Sequence, residues 1–418
     1  MQIFPPLPGL ALVLVCGLPV VPAVAADVIW KRHVIDNSSK GADGVRLADV
    51  NGDGLLDITT GWEQGGAVRA YLNPGFTRSK AKWPAVTVGL APNVEDAVFV
   101  DLDGDGAVDV VSSAEGDTRT LFAHWAPRDK ERYLDPKAWT TAAFPALQGK
   151  AMWMFCAPAQ LGGRHGMALI VGSKAKQLGA AEIGWLEAPA NPRNLGAWRW
   201  HPLRTAGWMM GIEAVDMDGD GDRDIVFSNR FDGAKSGCYW LENPGPGEAQ
   251  TRPWKEHPIG VIGQDAMFFS LADLDGDGLQ DLCIVTHGEG RGIYFLRRLD
   301  RTGTKWAERK IELPPDSAET KAVAVGDIDL DGRLDLVVSF AKAKGKAALR
   351  WWSHDGTPFA GNWAMHELSG VDGVKHDIVA LVDLDGDGDL DAITTEEVTN
   401  LGVIWYENPT RQLRQIPP

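Results

Sequence analysis

Apolar and β-branched residues fall in short runs along this chain, and acidic, glycine-rich or Asn-Pro turns punctuate them at a steady interval. Ile225-Val226-Phe227 and Leu336-Val337-Val338 are such runs; bounded by turn residues and too short for helices, they predict strands. Each directly follows an acidic turn. The strand before the turn is built of small and β-branched residues, as in Lys321 to Gly326, which suits a crowded position. A third run is aromatic or apolar and ends in an Asn-Pro turn, at Tyr71-Leu72-Asn73-Pro74, Leu241-Glu242-Asn243-Pro244 and Tyr406-Glu407-Asn408-Pro409. A fourth opens on Trp30, Trp83, Trp139, Trp198, Trp254, Trp306 or Trp363, spaced 52 to 59 residues apart.

A period of about fifty residues predicts a repeat architecture. Four antiparallel strands per period make one blade of a β-propeller, and seven tryptophan strands make seven blades. Val28 to Val34 is a tryptophan-led strand with no first three strands before it, while Val403 to Tyr406 is a third strand with no fourth after it. The expected fold is therefore all-β, a seven-bladed propeller of four-stranded antiparallel blades whose last blade is closed by the N-terminal strand. Closure of that kind leaves no open sheet edge. Residues 27–412 form a single domain in this reading, and residues 413–418 form a tail. Residues 1–26 read as a cleaved export signal, with an apolar Leu10 to Val21 and small residues at Ala23-Val24-Ala25.

The acidic turns carry the chemistry. Asp101, Asp103, Asp105 and Asp109 occupy positions one, three, five and nine of a turn with glycines at positions four and six. Carboxylates at this spacing converge on one point, and a hard divalent cation offsets their repulsion. The pattern recurs at Asp49, Asn51, Asp53 and Asp57; at Asp216, Asp218, Asp220 and Asp224; and at Asp273, Asp275, Asp277 and Asp281. Two more copies are Asp327, Asp329, Asp331 and Asp335, and Asp383, Asp385, Asp387 and Asp391. An EF-hand would need flanking helices and a Glu at position twelve; here a strand follows the aspartate at position nine. About six structural calcium sites are expected. The seventh turn, near residue 160, aligns with Gln160, Gly162, Arg164 and Ala168 at the ligand positions, so that blade should hold no calcium, with Arg164 supplying the positive charge.

Blades with DxDGDGxxD between their first two strands resemble the FG-GAP/VCBS repeats, the family of the integrin α-subunit propeller and of many secreted bacterial proteins. The resemblance covers nearly all of residues 27–412. It implies the propeller and its calcium loops, and an adhesive or glycan-binding role. Similar propellers also form the catalytic bodies of some polysaccharide lyases and of aldos-2-ulose dehydratase.

The formal charge of −16 argues against a nucleic-acid partner. Much of it is local: 23 carboxylates sit at the ligand positions of the six loops, and six dications would return twelve positive charges. Cys156, Cys238 and Cys283 of the mature chain lie in apolar contexts without a pairing pattern, so buried thiols are expected. No stretch of the mature chain is long and apolar enough to span a bilayer. The expected protein is a monomer, secreted or periplasmic, where millimolar calcium fills loops of modest affinity.

Loops on the face opposite the acidic turns vary, and variable loops on a rigid scaffold are where binding concentrates. The candidates there are Trp62, Glu63, Glu95, Asp96, Lys150, Trp153, Trp208, Arg230, Asp265, His287, Lys321, His376 and Asp377. Indole faces flanked by carboxylates and amides suit sugar rings, and interspersed Lys and Arg suit acidic groups. The leading expectation is a binder of carbohydrate or of a cell-surface or extracellular protein. The alternative is a sugar-active lyase or dehydratase with His287 or His376 as base and Arg230 or Lys321 stabilising charge. His33, His201, His257 and His366 each lie three residues after a repeat tryptophan, and that periodicity marks them as structural.

Overall fold

The structure, a computed structural model, describes residues 28–414 except residues 163–164, 246 and 250; the export segment and Arg164 therefore lie outside the described residues. Strands alternate with turns from Lys31 to Glu407, and one α-helix, Thr410–Arg414, follows them. The chain is all-β, as expected. Strand Ala42–Ala48 pairs with Asp57–Trp62, that strand with Ala67–Tyr71, and that one with Ala85–Leu90, all antiparallel. The same meander repeats along the chain. Five sheets have four strands, and one has eight. The larger one divides into two four-stranded sets, Met152–Ala159 to Arg199–Ala206 and Trp208–Val215 to Lys255–Gly260, joined by the single pair Lys174↔Trp208.

The last sheet draws its outer strand from the other end of the chain. Lys31–Asp36 pairs with Gly402–Glu407, with Lys31 opposite Glu407 and Val34 opposite Ile404. The first strands of consecutive sets touch in order: Ala42–Ala48, Val94–Val100, Met152–Ala159, Trp208–Val215, Asp265–Ala272, Glu319–Gly326 and His376–Val382, which touches Ala42–Ala48 again. Side chains of neighbouring sheets fill the space between them. Trp62, Trp153, Trp185, Trp240, Trp352 and Trp405 are among the largest fully buried groups.

The repeat tryptophans pin the turn that precedes each outer strand. The Trp139 indole N–H donates to the Tyr133 carbonyl at 2.8 Å, Trp83 to Ser79 at 2.9 Å, Trp198 to Pro192 at 2.8 Å and Trp363 to Pro358 at 3.0 Å. The periodic histidines stack on a third-strand indole: His33 on Trp405, His201 on Trp185, His257 on Trp240 and His366 on Trp351, at 4.5, 4.6, 4.2 and 4.0 Å. Three also reach a glutamate two residues past that tryptophan, at Glu407, Glu187 and Glu242. Burial lowers the His33 pKa in spite of Glu407. These histidines belong to the scaffold. Cys156, Cys238 and Cys283 are buried free thiols, each pushed up by burial. No helix among the described residues is long and apolar enough to cross a membrane.

Candidate functional site

In an antiparallel meander the first and third turns lie at one end of the sheet and the second turn and the exit at the other. The acidic loops and the Asn-Pro turns therefore share one end of each set. Glycines at positions four and six take the left-handed conformation, as at Gly104 (φ 73) and Gly106 (φ 86), and a side chain there would be strained. Leu330 fills position four of the fifth acidic loop at φ 60. The carboxylate at position one collects backbone N–H groups of its own loop: Gly52 and Gly54 donate to Asp49 at 2.7 and 2.8 Å.

Position nine does more than offer a ligand oxygen. Val50 N–H and Asn73 N–H donate to the two oxygens of Asp57, at 2.9 and 2.8 Å. Asp109, Asp224, Asp281 and Asp391 are held in the same way by position two of their loop and by the residue that closes the third strand. This aspartate ties the acidic turn to the Asn-Pro turn. The asparagine side chain completes the knot, donating to the carbonyl at position eight from Asn73, Asn243 and Asn408. In the fifth acidic loop His354 takes the asparagine's place: its Nε2–H donates to the Leu334 carbonyl at 3.2 Å, and Gly356 N–H donates to its Nδ1 at 3.0 Å. Sequence reading missed both roles; the Asn-Pro steps at Asn73, Asn243 and Asn408, just past three of the third strands, were the signal for the first.

The donor set fits a hard cation. Carboxylate oxygens of Asp101, Asp103 and Asp109 lie within 4.8 Å of one another, as do those of Asp216, Asp218 and Asp224 and of Asp273, Asp275 and Asp281. The buried Oδ1 atoms of Asp222, Asp273, Asp335 and Asp389 have no hydrogen-bond partner. Burial, with neighbouring carboxylates adding to it, pushes position nine up to about 6 in Asp57, about 7 in Asp109, Asp224 and Asp281, and about 8 in Asp335 and Asp391. Basic side chains answer the same demand for positive charge: Arg128 and Arg193 lie on Asp105, Arg297 on Asp275, Arg333 on Asp331 and Lys80 on Asp385.

At the opposite end the candidates separate into core and face. Trp62 and Trp153 are fully buried; their indoles donate to the Tyr71 hydroxyl and the Leu147 carbonyl. The expectation that they cover a sugar ring does not hold, because a side chain directed inward from a strand end packs between sheets. Trp62→Ala and Trp153→Ala should each cost about 3–5 kcal/mol, read by urea denaturation, with ligand binding per folded molecule unchanged. Asp96 is buried against Arg46 at 2.9 Å. His376 is fully buried, with Nε2 3.2 Å from the Tyr406 hydroxyl, and burial lowers its pKa to about 4. That position removes it from any substrate.

The remaining candidates form a charged ring. Lys174 bridges Glu95 (2.9 Å) and Glu115, and Lys321 stands 3.4 Å from the buried Asp377. Burial and then Asp377 raise the Asp43 carboxyl far above its ordinary range, while Lys321, Asp43 and Lys375 hold Asp377 low against the effect of burial. Burial and Glu95 raise Glu63. Lys150 is exposed. Asp265 accepts Phe231 N–H at 2.9 Å. The His287 Nε2 faces the Thr320 carbonyl and its Nδ1 faces Arg230 at 3.4 Å, so neither ring nitrogen is turned to a substrate. Trp208 remains half exposed beside the exposed Phe231.

Backbone strain separates the two ends more sharply than side chains do. Among the described residues, seven that are not glycine have φ between 46 and 61. Six of them, Asn93, Arg119, Phe231, Val261, Lys342 and Asn400, lie in the loops opposite the acidic turns. For Arg119, Phe231, Val261 and Lys342 such conformations cost about 1 kcal/mol or more each and persist where the surroundings impose them, whereas asparagine adopts them readily.

The FG-GAP-like repeat profile matches residues 49–112, 216–284 and 273–338. Each matched segment starts at position one of an acidic loop and runs through the next acidic loop into the strand beyond it. No curated protein matches the chain.

Proposed function

We propose that this chain, which carries FG-GAP-like repeats, is a calcium-stabilised seven-bladed propeller that binds carbohydrate on the face opposite its acidic loops, outside the cytoplasm. The cyclic order of first-strand contacts and the shared last sheet support seven blades around an axis. Oxygen-only donors at positions one, three, five and nine support calcium, which neutralises each cluster and locks the turn. The six loops that would hold it are those starting at Asp49, Asp101, Asp216, Asp273, Asp327 and Asp383.

The observation that carries the binding role is the gathering of six left-handed non-glycine residues in the loops of one face. Asn93 and Asn400 take this conformation readily, but Arg119, Phe231, Val261 and Lys342 do not, and strain of this kind clusters at binding sites. Carbohydrate is favoured over a flat protein partner because the exposed Phe231 ring stands beside Trp208 and the cations Arg230 and Lys174 that lie over that indole. Calcium-loaded protein on a glycan array should bind at least one glycan class, and Trp208→Ala should weaken that binding at least tenfold with the melting temperature within a few degrees of wild type. An array with no binder, alongside capture of a protein ligand by the same face, would overturn the carbohydrate reading.

A further inference from the structure

Arg230 ends the strand Asp224–Arg230 and is 9% exposed. A guanidinium taken out of water this far ordinarily meets a carboxylate. Among the described residues the other two buried arginines have strong acceptors: Arg350 lies on Glu367 and Asp316, and Arg298 donates to the carbonyls of Met217, Asp300 and Arg301. Arg230 has no carboxylate within ion-pair distance. Its hydrogen bonds run from Nη1 alone, to the Met267 sulfur at 3.2 Å and the His287 Nδ1 at 3.4 Å, both weak acceptors, and its buried Nε has no partner.

Aromatic faces hold it instead. The guanidinium carbon lies 4.0 Å from the Trp208 ring centroid and 4.9 Å from that of Phe231, while Lys174 Nζ lies 4.4 Å from the same Trp208 ring. Phe231 is strained at φ 54 and 49% exposed, so its ring lies between the guanidinium and solvent on that side. Burial lowers the Arg230 pKa to about 10, the direction expected of a cation short of counter-charge. The nearby lysines are already neutralised, Lys174 by Glu95 and Glu115 and Lys321 by Asp377.

We propose that Arg230, in the slot between Trp208 and Phe231, is the anchor for a carboxylate carried by the ligand of this face. One unneutralised guanidinium suits a single negative charge, and the Nε edge offers the planar fork that a carboxylate accepts side-on. A dianionic phosphate would need a second free cation. Phe231 turns aside to admit the group, while Trp208, capped by the Arg230 guanidinium and by Lys174 Nζ, forms the fixed wall of the slot. The ligand class is therefore an acidic sugar of the uronate type, a refinement that rests on the carbohydrate reading above.

Isothermal titration of the calcium-loaded protein at fixed ionic strength with sodium acetate, sodium glucuronate, sodium sulfate and glucose tests this. Acetate and glucuronate should bind saturably, glucuronate more tightly, and Arg230→Gln should weaken both at least tenfold. The melting temperature of Arg230→Gln should stay level or rise, because a buried charge without a partner is lost. Arg230→Lys should keep the charge and lose most of the affinity. Glucose or neutral glycans binding without acetate would overturn the anchor and leave the carbohydrate reading standing. Acetate binding with no glycan bound would sustain the anchor and remove the carbohydrate reading. Sulfate binding alone, or a lower melting temperature in Arg230→Gln with unchanged acetate affinity, would also overturn the anchor.

Discussion

Stripping calcium should lower the melting temperature by roughly 10 °C, with all six acidic loops contributing. At millimolar calcium and a dissociation constant of about 0.1 mM, each site adds about 1.4 kcal/mol and six add about 8.5 kcal/mol; a domain of this length then shifts by roughly the stated amount. The acid–base behaviour supplies a second signature. The position-nine aspartates have folded-state values of about 6 to about 8, above the ordinary value near 4. The folded state thus holds more protons than the unfolded state between these values, and stability falls as pH rises through that window. In chelator, acidification from pH 8 to pH 5.5 should raise the melting temperature; with calcium bound, the same change should leave it flat or lower it. Scanning calorimetry at four pH values with calcium and with chelator reads both effects. Identical melting curves with and without calcium would remove the structural role assigned to the metal.

The second large effect separates two aspartates of one loop. Asp391→Ala removes a ligand oxygen and also the acceptor of two buried backbone N–H groups, those of Leu384 and Asn408. Each orphaned donor costs about 1–3 kcal/mol, so the deficit should be about 2–6 kcal/mol and should survive in chelator. Asp387→Ala removes a ligand whose oxygen accepts only Asp389 N–H, at 3.1 Å, within the same turn. Its deficit should appear with calcium and fall to about 1 kcal/mol or less in chelator. Denaturant titration of both variants in both conditions gives the four numbers. Equal behaviour of the two in chelator would show that position nine is a ligand and nothing more.

Much of this architecture was legible because its signals recur. A turn that gathers four carboxylate oxygens permits few residues, so the acidic cluster of Asp101-Leu102-Asp103-Gly104-Asp105-Gly106 could be read from spelling alone, and the tryptophan spacing counted the sets. The pairing of Lys31–Asp36 with Gly402–Glu407 followed from counting strands at both ends. The opposite face was harder. Trp62 and Trp208 both stand at strand ends on that face, yet one indole is fully buried and the other half exposed.

A bulge lies behind part of that difficulty. The first strand of every set shifts register near this end, as between Asp43 and Arg46, Met209 and Ile212, and His376 and Val379. A bulge re-aims the side chains beyond it and breaks the simple alternation of inward and outward positions. Hydroxyls of the second strand brace the displaced backbone: Thr60 donates to the Gly44 carbonyl at 2.5 Å, Ser339 to that of Asp377 at 2.6 Å and Thr394 to that of Ile378 at 2.9 Å. In sequence these look like ordinary strand Ser and Thr. Arg230 was visible as a charge at a loop, but its lack of a partner depends on what every neighbouring chain segment does and has no local spelling.

The sheet shared by Lys31–Asp36 and Gly402–Glu407 sets a condition on assembly. Its two contributors are separated by nearly the whole length of the polypeptide, so the joint can form only after the intervening sets have come together, and contacts this distant in sequence form slowly. Until then each molecule carries two bare strand edges that match each other. In a crowded refolding mixture the strand Lys31–Asp36 of one copy can fill the vacancy in another, giving an exchanged dimer. The yield of monomer should therefore fall as protein concentration rises during refolding, even though in the finished molecule these two strands are paired with each other.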